Sequence, residues 1–270
     1  MPAIGVFDSG LGGLTVLERL QAALPGQGFV YLGDNANAPY GTRSAGEILD
    51  LTMAGTQALF DRGCGLVILA CNTASAVALR QMQEFWVPAD RRVLGVFVPM
   101  IEAIVGRPFA QRGAPTQSAV SDVLLFATQA TVASGAFSRE LFLRASGVRV
   151  VEQACPGLVD ALEAGDRAAA DAIAAAHVRA ALDRMPAPRV AALGCTHYPL
   201  AAGAFAAALP EGCRVLSQGD LVAAALCDYL RRHPRLAGGG GNAYLTSGDP
   251  QAVRRAAQVM TGRDLPFAPV

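Results

Sequence analysis

The sequence predicts an α/β protein of two doubly wound domains with mainly parallel sheets, and three observations predict it. Short β-branched apolar runs alternate with longer stretches of helical length and spacing. The runs are apolar throughout rather than every second residue, as strands buried on both faces are. LVILACNTA, around Cys71, and VAALGCTHY, around Cys195, echo one another, each setting a cysteine and a polar pair at the end of an apolar run. The echo suggests two similar halves facing each other.

In order, the predicted strands are Ile4 to Phe7, Phe29 to Leu32, Leu66 to Ala70, Val93 to Val98, Val123 to Ala127, Val148 to Val151, Val190 to Leu193, Arg214 to Leu216 and Ala243 to Thr246. Helical patterns fall between them at Leu14 to Leu24, Ser44 to Asp61, Ala74 to Phe85, Thr131 to Ala145, Asp166 to Arg184, Leu221 to Arg231 and Pro250 to Met260. Gly106 to Asp122 is polar and holds Gly and Pro, so it reads as a surface loop or insertion. The expected division is a first domain of residues 1–98 plus 216–270 and a second of 99–215, with the active site in the cleft between them.

Composition removes several classes of function. The 270 residues are 52% hydrophobic and 16% charged, enough to bury a large core. Twenty-two basic residues balance twenty-two acidic ones, so no polyanion such as nucleic acid is expected as a partner. Every basic residue is arginine. Without lysine there is no Schiff base for pyridoxal phosphate and no Walker A lysine. No apolar run is long enough to span a membrane and no export signal opens the chain, so a cytoplasmic protein is expected. Six cysteines without a CxxC pair, and three scattered histidines, point to neither a disulfide framework nor a metal site.

In open α/β sheets ligands bind beyond the carboxyl ends of the strands. The polar residues there are Asp8 and Ser9, then Asp34 with Tyr40 and Gly41, then Cys71, Asn72 and Thr73; in the second half they are Thr128 and Thr131, then Cys195, Thr196 and His197. Cys64, Cys155, Cys213 and Cys227 read as inert apolar residues. Cys71 and Cys195 differ because a following helix N-terminus would favour thiolate, and two facing thiols suggest a paired acid and base. The DSGLGG segment does not fit a dinucleotide fingerprint, because Thr15 stands where the last glycine belongs.

IGVFDSGLGGLTVL, YLGDNANAPYG, VILACNTASAVAL, FATQATVASGAF and LGCTHYPL, in this order, resemble the cofactor-independent glutamate racemases of bacterial cell-wall synthesis along nearly the whole chain. Related aspartate racemases typically carry Glu after the second Cys-Thr, where this chain has His197, which favours glutamate as the substrate. The resemblance implies a two-base reaction without cofactor or metal, in which one thiolate removes the α-proton and the opposite thiol returns one to the other face. It gives Cys71 the D-isomer with Asp8 assisting, and Cys195 the L-isomer with His197 assisting. The family's further carboxylate follows an Ala-Cys-Pro segment, matching Glu163, with Asp160 as its competitor and Glu152 fitting less well. Ser9, Tyr40, Gly41, Asn72, Thr73, Thr128, Thr131, Thr196 and His197 match substrate-binding positions, as does Asp8. A homodimer is expected by the same resemblance. The 106–122 stretch looks longer than usual for the family, and Leu125 replaces a commonly smaller residue.

Overall fold

Strands that are apolar on both faces must be covered on both sides, and the chain does this twice. The structure, a computed structural model, describes residues 3–106 and 113–270. In chain order the strands are β1 (Ile4–Asp8), β2 (Phe29–Gly33), β3 (Leu66–Leu69), β4 (Arg92–Gly95), β5 (Thr116–Gln117), β6 (Asp122–Ala127), β7 (Ala145–Ser146), β8 (Arg149–Ala154), β9 (Val190–Gly194), β10 (Arg214–Leu216), β11 (Ala243–Thr246) and β12 (Phe267–Pro269). One parallel sheet has the order β12-β11-β2-β1-β3-β4 and a second, also parallel, the order β10-β9-β6-β8.

Alternation along the strands assigns side chains to the two faces. In the first sheet Ile4, Val6, Tyr31, Leu66 and Ile68 pack with Leu14, Leu17, Val222 and Leu226 of the helices Leu14–Ala23 and Gln218–Arg232. Phe7, Val30, Leu32, Val67 and Leu69 point the other way, onto Ile48, Leu59 and Phe60 of the helix Ala45–Asp61. In the second sheet Leu124, Phe126, Ala191 and Leu193 meet the helices Leu158–Glu163, Arg167–Leu182 and Ala202–Ala208, while Val123, Leu125, Val190 and Ala192 meet Phe97–Val105 and Ala136–Phe142.

The first sheet winds from β1 out to β2 and then returns to the other side of β1 for β3; the second winds from β6 to β8 and returns for β9. Each reversal leaves a crevice at the carboxyl ends of the two central strands, where the next helices diverge. Asp8 and Cys71 stand at the first crevice, and Thr128 and Cys195 at the second.

Several predicted elements are redrawn. The run from Val93 to Val98 is a strand only as far as Gly95, and a helix follows at Phe97–Val105 with Pro99 in its first turn. The helix expected over Ala74 to Phe85 is two, Asn72–Val77 and Leu79–Phe85, jointed at Ala78. That over Thr131 to Ala145 is also two, Gln129–Ser134 and Ala136–Phe142, because Gly135 takes φ +59°, which ends a helix. Of the polar 106–122 stretch, residues 107–112 lie outside the described residues, while Thr116–Gln117 pairs with Ala145–Ser146 in a short parallel ladder rather than forming loop throughout. The helices Leu158–Glu163 and Ala202–Ala208 and the strand Phe267–Pro269 were not expected. No helix among the described residues is long and apolar enough to cross a membrane.

One glycine sets how closely the helix Ala45–Asp61 lies on β1. A Cβ at Gly55 would overlap the Phe7 ring, standing 2.7 Å from its Cδ2. Gly55→Ala is expected to push the helix off the strand that ends in Asp8 and lower stability by about 1–3 kcal/mol, measured as a shift in the urea midpoint; an unchanged midpoint would refute this packing.

Candidate active site

A cavity of about 220 Å³ lies where the two crevices meet. Cys71 and Thr73 border it from the first half, with Ser9, Tyr40, Gly41 and Asn72, and Thr128, Cys195, Thr196, His197 and Glu163 border it from the second. Asp160 borders it too. Of the expected substrate-binding set, Asp8 and Thr131 do not line the cavity: both are fully buried behind it. Thr131 instead ties the wall together, its hydroxyl 3.0 Å from Thr128 Oγ1 and 3.3 Å from Thr73 Oγ1, while Thr73 and Thr128 hydroxyls meet across the two halves at 2.9 Å. A larger groove of about 910 Å³ between the helices Leu79–Phe85, Phe97–Val105 and Gln218–Arg232 contains no cysteine or histidine and none of the expected residues.

Cys71 precedes the helix Asn72–Val77, and its sulfur accepts from Ala74 N–H at 3.4 Å and donates to Ser9 Oγ at 3.4 Å. The thiolate preference expected of a helix N-terminus is opposed here by burial. Burial and the nearby Asp8 charge push the Cys71 thiol up to about 12, and the hydrogen bonds with Ser9 and Ala74 do not offset them. Cys195 is followed not by an α-helix but by the single turn Tyr198–Ala201, so its neighbouring cation is a side chain.

That cation is His197. Its Nδ1 is 3.9 Å from Cys195 Sγ, and its Nε2 is 2.9 Å from Glu163 Oε1, an ion-pair approach lying off the line of a good hydrogen bond. Burial alone would depress the imidazole, but its contacts with Cys195 and Glu163 outweigh burial and raise it to about 10. The same contact with His197 holds the Glu163 carboxyl below its usual range despite partial burial. Of the two carboxylates left open by the sequence, Glu163 therefore meets His197, while Asp160 lies in the first turn of the same short helix.

Asp8 makes no hydrogen bond with Cys71. Its Oδ2 accepts from Gly10 N–H at 3.0 Å, and its Oδ1 finds no well-aligned donor among the described residues. Burial pushes this carboxyl up, with the His197 charge opposing. The loop after β1 packs tightly at two glycines: a Cβ on Gly13 would stand 2.6 Å from Asp8 Cβ, and one on Gly12 would overlap Thr196 Oγ1 and stand 2.5 Å from His197 Nδ1. Thr15 Oγ1 also reaches Thr196 O at 2.9 Å. Asp34 is not a lining residue; it accepts from the Tyr40 hydroxyl at 2.6 Å and from Ser247 Oγ at 2.6 Å, which fixes Tyr40 in the wall.

Sequence reasoning missed Gln218, which pairs with Asn72, and the support given by Gly12, Gly13 and Thr15. It also read Cys155 as core only, whereas Cys155 both packs in the core and borders the cavity. No described arginine lines the cavity. A carboxylate entering it must be met by hydroxyls, amides, backbone N–H groups and His197. The volume suits an amino acid rather than the roughly 300–1,000 Å³ of a drug-sized ligand.

His197 sets a pH dependence of stability. Its folded-state pKa is raised from 6.5 to about 10, so its contribution is full below pH 6.5 and is lost as pH rises through about 10. The melting temperature is expected to fall across that window, and His197→Gln to show a shallower fall; parallel curves for the two proteins would refute the assignment.

Two parallel α/β layers, each ending at its winding reversal in a thiol that borders one small cavity, fit an amino-acid racemase, an isomerase. No protein-family model matches the chain. The chain is 55% identical to a glutamate racemase of Jannaschia sp. (strain CCS1), over 99% of each. It superposes on the crystal structure of glutamate racemase from Thermus thermophilus in complex with β-chloro-D-alanine, with a TM-score of 0.82, 33% identity and coverage of 100% of this chain and 96% of that one. The Escherichia coli glutamate racemase in complex with L-glutamate and activator UDP-MurNAc-Ala gives a TM-score of 0.74 at 26% identity, covering 99% of this chain and 97% of that one. The chain belongs to the glutamate racemase family.

Proposed function

We propose that the protein interconverts L- and D-glutamate by passing the α-proton between Cys71 and Cys195, and that the D-glutamate serves peptidoglycan synthesis. The observation that carries this reading is the pair of strand-end thiols, Cys71 after β3 of one sheet and Cys195 after β9 of the other, bordering a single cavity together with hydroxyls, amides, His197 and Glu163. Inversion needs one sulfur as base and the other as acid on opposite faces of a planar carbanion. Cys71, pushed up to about 12, rests as the thiol and is the proton donor in the L-to-D direction. Cys195 is then the base on the L-isomer, with the His197 cation 3.9 Å away to balance its charge. In the reverse direction the roles exchange.

The substrate is held by Ser9, Tyr40, Gly41, Asn72, Thr73, Thr128, Thr196 and His197, with Asp8 and Thr131 acting from behind the wall. The test follows L- and D-glutamate, and L-aspartate, in deuterated water by polarimetry and proton NMR. Inversion of glutamate with deuterium entering the α-position supports the reading. Exchange with aspartate alone would move the substrate to its shorter homologue, and exchange with neither would refute the two-thiol reaction.

A further inference from the structure

Asn72 follows Cys71 directly and borders the cavity, yet its side chain is already engaged. Asn72 Nδ2 donates to Gln218 Oε1 at 2.9 Å, and Gln218 Nε2 donates back to Asn72 Oδ1. The two amides are 2% and 1% exposed, so this reciprocal pair is sealed from water. Turning either amide alone would set N–H against N–H and oxygen against oxygen in a buried place, so each fixes the plane of the other. The side chain of Asn72 makes no other hydrogen bond among the described residues. Of its donors, one Nδ2–H is therefore left for a ligand.

Gln218 is the first residue of the helix Gln218–Arg232, just after β10 in the second sheet. That helix packs against the first half through Val222, Ala223, Leu226 and Leu230. Gln218 therefore sits where the chain crosses back between the sheets, and it grips the first residue of the helix that begins beside Cys71. We propose that Gln218 is a positioning residue for the racemase reaction: it clamps the Asn72 amide so that its remaining N–H is presented to a carboxylate of the bound amino acid. This rests on the reading of the cavity as the glutamate site, and it assigns the return crossing a part in substrate binding.

The test uses the full chain with Gln218→Met, close in volume but unable to pair, Gln218→Asn, whose amide is withdrawn by one methylene, Asn72→Ala, and the double variant Asn72→Ala/Gln218→Met. KM for glutamate is expected to rise on the order of 10-fold in Gln218→Met, as for a lost hydrogen bond to a charged group, with kcat changed less than about 3-fold. Gln218→Asn is expected to move KM in the same direction, so either folded variant reads the clamp. The double variant is expected to be no worse than Asn72→Ala alone, because Gln218 acts only through Asn72. A raised KM in Asn72→Ala with an unchanged KM in both Gln218 variants, or losses that simply add, would overturn the clamp and leave the glutamate site standing. Absence of glutamate inversion in the unaltered protein would overturn both.

Discussion

Replacing Cys71 or Cys195 by serine is expected to lower kcat/KM for glutamate inversion on the order of 10³-fold, within the range by which a positioned acid or base accelerates proton transfer. In the proposed two-thiol reaction each replacement removes one of the two proton-transfer groups, and a serine hydroxyl surrenders its proton far less readily than a thiol. The two losses differ in what remains. Cys195→Ser keeps the sulfur on the Cys71 face, so slow exchange of the D-glutamate α-proton without inversion is expected; Cys71→Ser is expected to leave the same partial reaction with L-glutamate. Proton NMR in deuterated water combined with polarimetry separates exchange from inversion. Full inversion in either variant would show that its thiol is not one of the two bases.

The second large effect lies outside the cavity lining. Gly12→Ala would drive a methyl group into Thr196 Oγ1 and to 2.5 Å from His197 Nδ1. These neighbours are buried, at 4% and 6% exposure, and His197 also meets Glu163 through Nε2, so the loop or the imidazole must move. Displacing a reacting group by about 1 Å costs roughly 10²-fold in rate, and a loss of that order in kcat/KM is expected. The raised His197 pKa should fall with the broken contacts, read by NMR titration of the imidazole. A variant with unaltered kcat/KM and unaltered titration would show that the loop yields without touching the site.

The strand ends were legible because a parallel strand covered on both sides leaves an unbroken apolar run, and such a run stops where the chain meets the polar crevice. Phe7-Asp8, Ala70-Cys71 and Gly194-Cys195 are all such boundaries. The limit of the same signal is Val93 to Val98, where β-branched residues continue across Gly95 into the first turn of a helix. Asp160 and Glu163 lie within one short helix after the same landmark, so only the helix's rotation shows which reaches His197. Gly12 and Gly13 were visible as glycines, but what presses on them comes from Thr196 and His197, far along the chain. Gln218 carries no local signal at all: it is an ordinary polar residue at a helix start, and its partner is 146 positions away.

The two thiols sit in unlike surroundings, one deeply desolvated beside an aspartate and the other beside an imidazolium. Mirror-image substrates have equal free energy in water, so the Haldane relation requires the racemase to show the same kcat/KM in both directions. The dissimilarity of the two walls cannot favour either enantiomer at equilibrium. It can appear only as compensated pairs, in which the isomer that turns over faster at saturation is also the one held more weakly.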